Sequence, residues 1–226
     1  MARFLIIDTA LEQAIVALSN NESIQDELAH SEPHGHAGFL QVAIADLMDR
    51  NKLTLPEIDA IVVTLGPGSY TGLRVGLASA KGIAYALQKP LIGLSTLDAL
   101  AHKAIKSVPL HMRSEFQVFT MIDARRMEVF GAIFNKELEF VKTAQAMALD
   151  NIKWASLIQK PTICIGNGCP KTKAFDPTFE VYYNESSYTS KELQEMADIK
   201  FKAGLFEDLA YVGPNYLKEV YILPSK

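Results

Sequence analysis

Leu65-Gly66-Pro67-Gly68-Ser69-Tyr70-Thr71-Gly72-Leu73-Arg74-Val75-Gly76-Leu77-Ala78-Ser79-Ala80-Lys81-Gly82-Ile83-Ala84 is the stretch that decides how this chain is read. The apolar run before it, Ile58 to Leu65, predicts a buried strand closed by a Gly-Pro-Gly turn. Beyond the turn, Gly72, Gly76, Ala80 and Ala84 recur at every fourth position, so a helix stacks them on one face. Each glycine costs a helix about 1 kcal/mol relative to alanine. A stripe so poor in side chains therefore calls for a compensating gain, the close approach of another backbone. That approach is either internal, helix on sheet, or external, helix on a partner's helix, and we read the pattern as tipping toward a partner.

The surrounding chain bounds the possibilities. Its 226 residues are enough for one large or two modest domains, and 49% hydrophobic against 21% charged residues argues for a packed core. No apolar run reaches membrane-span length. Asp8 and Glu12 interrupt the apolar opening too early for a signal peptide, so we expect a cytoplasmic protein with no membrane contact. Cys164 and Cys169 make neither a disulfide framework nor a four-ligand zinc spacing. A net charge of -4 lacks the basic footprint of a protein that grips nucleic acid alone.

Phe4 to Asn20 reads as a β-hairpin, with a third strand over Ser23 to Leu28 and a helix from Gly38 to Arg50. Leu91 to Leu94 is a further strand, after which Ser95 caps a short helix. Then the pattern starts again. Phe119-Thr120-Met121-Ile122-Asp123-Ala124 lies on Phe4-Leu5-Ile6-Ile7-Asp8-Thr9 at a constant offset, which carried further sets Ala17 on Ala132 and Asn20 on Asn135. Two such copies predict a duplicated mixed-sheet domain with flanking helices. Each copy puts an acid at the end of its first strand, which resembles the two-lobed actin and sugar-kinase fold (actin-like, ribonuclease H-like). We expect one lobe over 1–100, a second, degenerate lobe over 101–213 whose helix near 190–203 packs back on the first, and a tail over 214–226 that docks on the body.

At this point a family resemblance is plain. Gly66-Pro67-Gly68-Ser69-Tyr70-Thr71-Gly72-Leu73-Arg74-Val75-Gly76, with Ala80-Lys81-Gly82 and Ser95-Thr96-Leu97 downstream, resembles the hallmark of the bacterial TsaB (YeaZ) family. Ile7-Asp8-Thr9, Asp123-Ala124-Arg125 with Glu128-Val129-Phe130, and Pro214-Asn215-Tyr216-Leu217 match it too. The resemblance implies an actin-like (ASKHA) protein that is not itself an enzyme. Its implied role is to partner and activate TsaD, which forms N6-threonylcarbamoyladenosine (t6A) in tRNA, within a complex that also holds the ATPase TsaE. It implies no cofactor of the chain's own, with ATP or ADP and a metal in the partner subunits, and tRNA contact through the complex. A homodimer through the same surface is implied when TsaD is absent. The implied contact is a helical bundle. Here it would use Phe39 and Leu40 on the first helix, the stripe Gly72, Gly76, Ala80 and Ala84, Leu73 and Leu77 as anchors, and Arg74 at the rim. On that reading Gly76→Leu breaks the heterodimer and spares the fold.

Other chemistries fare worse. His30 and His34 stand four apart, with His36 beyond, but Pro33 disfavours the helix that would align them, so no metal site is expected. Asp8, Thr9 and Asp123 would mark a vestigial nucleotide site. The turns after both acids hold no glycine to let a phosphate approach the backbone, which disfavours the alternative of a stand-alone actin-like ATPase or phosphotransferase. Ser69 sits in no nucleophile elbow.

Overall fold

The opening apolar run forms β1 (Arg3–Asp8), which pairs antiparallel with β2 (Ala14–Asn20), itself paired to β3 (Ser23–His30). After α1 (His36–Arg50), β4 (Ala60–Gly66) returns parallel to β1. Then come α2 (Tyr70–Leu87), β5 (Leu91–Ser95), parallel to β4, and α3 (Thr96–Ile105). The sheet order is β3-β2-β1-β4-β5. This computed structural model describes residues 2–31 and 35–218.

The second lobe repeats the plan. It contains β6 (Gln117–Asp123), β7 (Glu128–Phe134), β8 (Phe140–Ala148), α4 (Asn151–Leu157), β9 (Thr162–Ile165), β10 (Val181–Asn184) and α5 (Ser190–Lys202). Its sheet order, β10-β9-β6-β7-β8, is the first lobe's order read from the other edge. Even the turn after the fourth strand is kept: Gly66 and Gly166 have φ of 104° and 109°, the region where a side chain is strained. The chain is thus a two-lobed actin-like α/β fold made by duplication.

Besides α4, which has seven residues against fifteen in α1, the copies differ in two places that bear on the site. Phe4 pairs with Ser19, but Phe119 pairs with Ile133, so the second hairpin is one residue shorter than the first. Ala17 therefore corresponds to Gly131 rather than Ala132, and Asn20 to Phe134 rather than Asn135: the single offset holds on the first strand and slips on the second. The other difference is α2, which in the second lobe shrinks to a 3-10 turn, Cys169–Thr172.

Strand alternation sorts the core into layers. Phe4 and Ile6 point toward α3 and α5, whereas Leu5 and Ile7 point toward α1 and α2. Because the first sheet is covered on both faces, its central strands are apolar throughout. Each lobe's last helix reaches across to the other: α3 packs on β6 and β9, and α5 on β1, β3 and β5. The two helices are pinned together by Lys103 and Lys106 on Glu192. Burial pushes the Glu192 carboxyl up, but its bonds from Thr189 and the two lysines outweigh this and hold it below its ordinary value. Residue 100, the expected end of the first lobe, lies inside α3. Among the described residues no helix is long and apolar enough to cross a membrane.

Candidate functional site

The small-residue stripe of α2 lies on the inside. Gly72, Leu73, Gly76, Leu77, Ala80 and Ala84 are all buried, with Ala80 and Ala84 at 0% exposure. A Cβ at Gly72 would stand 2.0 Å from the carbonyl oxygen of Thr9, and one at Gly76 would stand 2.2 Å from Thr9 Oγ1. Thr9 Oγ1 in turn donates to the Gly72 carbonyl at 2.7 Å. The close approach is therefore helix on sheet, at the end of β1. Leu40 is buried in the same core. These seven residues, expected at a partner interface, belong to the interior. Phe39 is half-buried and stacks on His30 at 5.1 Å, which leaves only part of its ring to solvent.

The opposite face of the same helix pair is open. Gly38, Gln41, Val42 and Ala45 on α1, and Ala78, Gly82, Tyr85 and Ala86 on α2, are exposed. Val42 and Tyr85 reach 70% and 79% exposure. A Cβ at Gly38 or Gly82 would meet nothing within 4 Å. Neither glycine has an internal packing reason, although each weakens its helix. Gln41 donates to Ser79 Oγ at 2.9 Å and holds the two helices side by side. Sequence reading missed this face because its glycines stand outside the regular fourfold stripe.

Between the lobes runs a cleft of about 860 Å³, walled by the Gly68–Thr71 turn on one side and by Ile122, Asp123, Arg125 and Phe130 on the other. The tail closes one end. Asn215 N–H donates to the Leu65 carbonyl at 2.7 Å, and the Tyr216 ring stacks on Tyr70 at 4.9 Å. Arg74 donates to the Tyr216 hydroxyl at 2.9 Å and lies 4.1 Å over the Tyr70 ring. Arg74, expected at a partner rim, is exposed but committed to this internal aromatic clamp. Lys218 reaches the second lobe and pairs with Glu128.

Of the two strand-end acids, Asp8 is buried. Its Oδ1 accepts from Ala10 N–H at 2.9 Å and from Thr64 Oγ1 at 2.7 Å, which fixes the end of β1 against β4. Burial first, and then the neighbouring Asp8, push the Tyr188 phenol well up. Asp123 is on the cleft wall, where Lys171 donates to it at 2.7 Å and Arg125 N–H at 2.5 Å. Burial would raise this carboxyl, but those two partners win and hold it below its usual range. Thr9 is buried and spent on Gly72. The three residues of the vestigial nucleotide site are thus not gathered around one space: Asp123 lines the cleft, Asp8 borders a separate cavity of about 260 Å³, and Thr9 lies in the packing. Asp8→Ala is expected to destabilise the fold by about 1–3 kcal/mol, because it leaves the buried Ala10 N–H and Thr64 hydroxyl without their acceptor. Denaturant unfolding measures this, and an unchanged midpoint would count against a structural role.

Cys164 and Cys169 are buried, and burial raises both thiols, Cys169 to about 12, so neither supplies a thiolate near neutral pH. His34 lies outside the described residues, and no cluster of three metal-ligating side chains occurs among those described.

Comparison with known proteins adds a second line of observation. The family model for TsaD, tRNA N6-adenosine threonylcarbamoyltransferase, matches residues 19–221. The tRNA threonylcarbamoyladenosine biosynthesis protein TsaB of Escherichia coli is 34% identical over 137 residues, covering 60% of this chain and 56% of that protein. The protein of the same name from Buchnera aphidicola is 25% identical over 174 residues, covering 75% of this chain and 80% of that one. Its counterpart from Haemophilus influenzae is 34% identical over 128 residues, covering 56% of this chain and 51% of its own length. The matches to the E. coli and H. influenzae proteins thus span little more than half the length of those relatives. YeaZ from Pseudomonas aeruginosa superposes with a TM-score of 0.77 at 24% identity, over 96% of this chain and 100% of that chain, a likeness of fold.

Proposed function

Because the chain belongs to the TsaB (YeaZ) family, we propose that it is a non-catalytic partner and activator of TsaD in forming t6A in cytoplasmic tRNA. TsaD and TsaE assemble on it, and ATP, ADP and metal belong to those subunits. The observation that carries this reading is the open face of α1 and α2, where Gly38 and Gly82 leave room for a backbone to come close. Val42 and Tyr85 flank them as apolar and aromatic anchors. Without TsaD the same face serves a second copy of the chain.

The chemistry of the cleft supports a helper rather than a catalyst. Asp8 is spent on Ala10 and Thr64, and Asp123 on Lys171, so neither is poised to organise a metal and a phosphate. Co-purification with TsaD, followed by tRNA modification with and without this chain, tests the proposal. We expect a stable complex and t6A formation that depends on it, with no ATP turnover by the chain alone. Turnover by the chain alone, or t6A formation indifferent to it, overturns the reading.

A further inference from the structure

The second-lobe hairpin carries a backbone conformation that its first-lobe counterpart avoids. With one residue fewer, its turn holds Arg125 and Arg126 at φ of 67° and 50°. Glycine and asparagine suit that region, and arginine does not. No residue of the first-lobe turn, Thr9 to Gln13, is left-handed. Backbone geometry therefore gives no reason for two arginines here.

The surrounding charge gives one. Asp123 pairs with Lys171, Glu128 with Lys218 and Glu185 with Lys173. Each of these carboxylates has its own lysine, and no ion pair among the described residues involves Arg125 or Arg126. Glu12, on the opposite wall of the cleft, pairs with neither. Both arginines are exposed, and Arg125 lines the cleft. A chain of net charge -4 thus presents two guanidinium groups side by side, each in the field of one carboxylate, Asp123 for Arg125 and Glu128 for Arg126, whose direct ion pair is with a lysine.

We propose that the Arg125–Arg126 turn is a phosphate-backbone contact for RNA, the place where this chain touches the tRNA whose modification it supports. The proposal rests on the functional reading above. Guanidinium matches phosphate oxygens with paired N–H donors. A small phosphorylated ligand calls for buried donors that replace its water, whereas these groups stay solvated at the rim. Solvated cations gain most from a polyanion, through release of its condensed counterions.

The test is Arg125→Asn/Arg126→Gly, which gives the turn residues suited to its backbone. The melting temperature is expected to rise by about 2–4 °C, so that weaker binding is not a folding defect. Affinity of the TsaD complex for unmodified tRNA is expected to fall about tenfold, and the salt slope of log K to flatten by about 1 to 2. Association with TsaD is expected to match the unaltered chain, and Arg125→Lys/Arg126→Lys to keep most of the slope. An affinity and slope equal to those of the unaltered chain overturn the proposal. If no TsaD complex forms, the functional reading fails, and binding of tRNA to the isolated chain at low salt decides the contact separately. Stronger binding by the unaltered chain than by the Asn/Gly variant supports it, and equal or absent binding overturns it.

Discussion

Gly72→Ala is expected to lower the melting temperature by about 4–8 °C, although alanine is the better helix former. The new methyl would lie 2.0 Å from the Thr9 carbonyl oxygen, a backbone atom at the end of β1 that has no rotamer to escape into. Relief requires α2 to lift from the sheet, which strains the Thr9 to Gly72 hydrogen bond and opens the core beneath Leu73 and Leu77. Overpacking of this kind costs about 3 kcal/mol or more, against a helix-propensity gain near 1 kcal/mol. Gly76→Ala is expected to fall short of this, because its clash is with the Thr9 hydroxyl, which can rotate at the loss of one bond. Gly76→Leu fills far more space and is expected to unfold the first lobe. Thermal denaturation decides the matter: a Gly72→Ala protein melting at or above the unaltered chain would refute the helix-on-sheet packing.

The duplication could be read because β-strand alternation and strand-end acids are local features, and Phe4–Asp8 and Phe119–Asp123 both carry them. The one-residue slip at the second hairpin could not, since register is set by the pairing of Phe119 with Ile133, a contact between strands. The same distinction explains the misplaced interface. Spacing in a helix tells that Gly72, Gly76, Ala80 and Ala84 share a face, but the identity of what covers that face is a tertiary fact. A usable signal was present in Gly82. It stands outside the fourfold stripe, so a glycine there has to answer to something other than the surface that receives Gly72 and Gly76. Likewise Arg74 reads as a free surface charge until Tyr216, more than a hundred residues away, is seen to hold it.

Gly82→Leu is expected to weaken binding to TsaD by at least about 100-fold, a loss of roughly 2.7 kcal/mol or more, while leaving the fold intact or firmer. Space beside Gly82 is open in the isolated chain, so leucine meets no internal obstacle and gains about 0.5–1 kcal/mol of helix propensity. In the proposed complex that space is taken by a partner backbone, and a side chain of four carbons holds it away along the whole contact. Val42→Asp is expected to act through a different cause, burying an unpaired carboxylate, with a loss of about 3 kcal/mol or more. Ile152→Ala is the control: on α4 in the other lobe it is 84% exposed, and its loss is expected to change neither stability nor association. The glycines of α2 thus make opposite forecasts, Gly72 for the fold and Gly82 for the complex, from two faces of one helix. Titration calorimetry with TsaD reads the second directly. Unaltered affinity in Gly82→Leu and Val42→Asp would move the interface off α1 and α2, whatever the family to which the chain belongs.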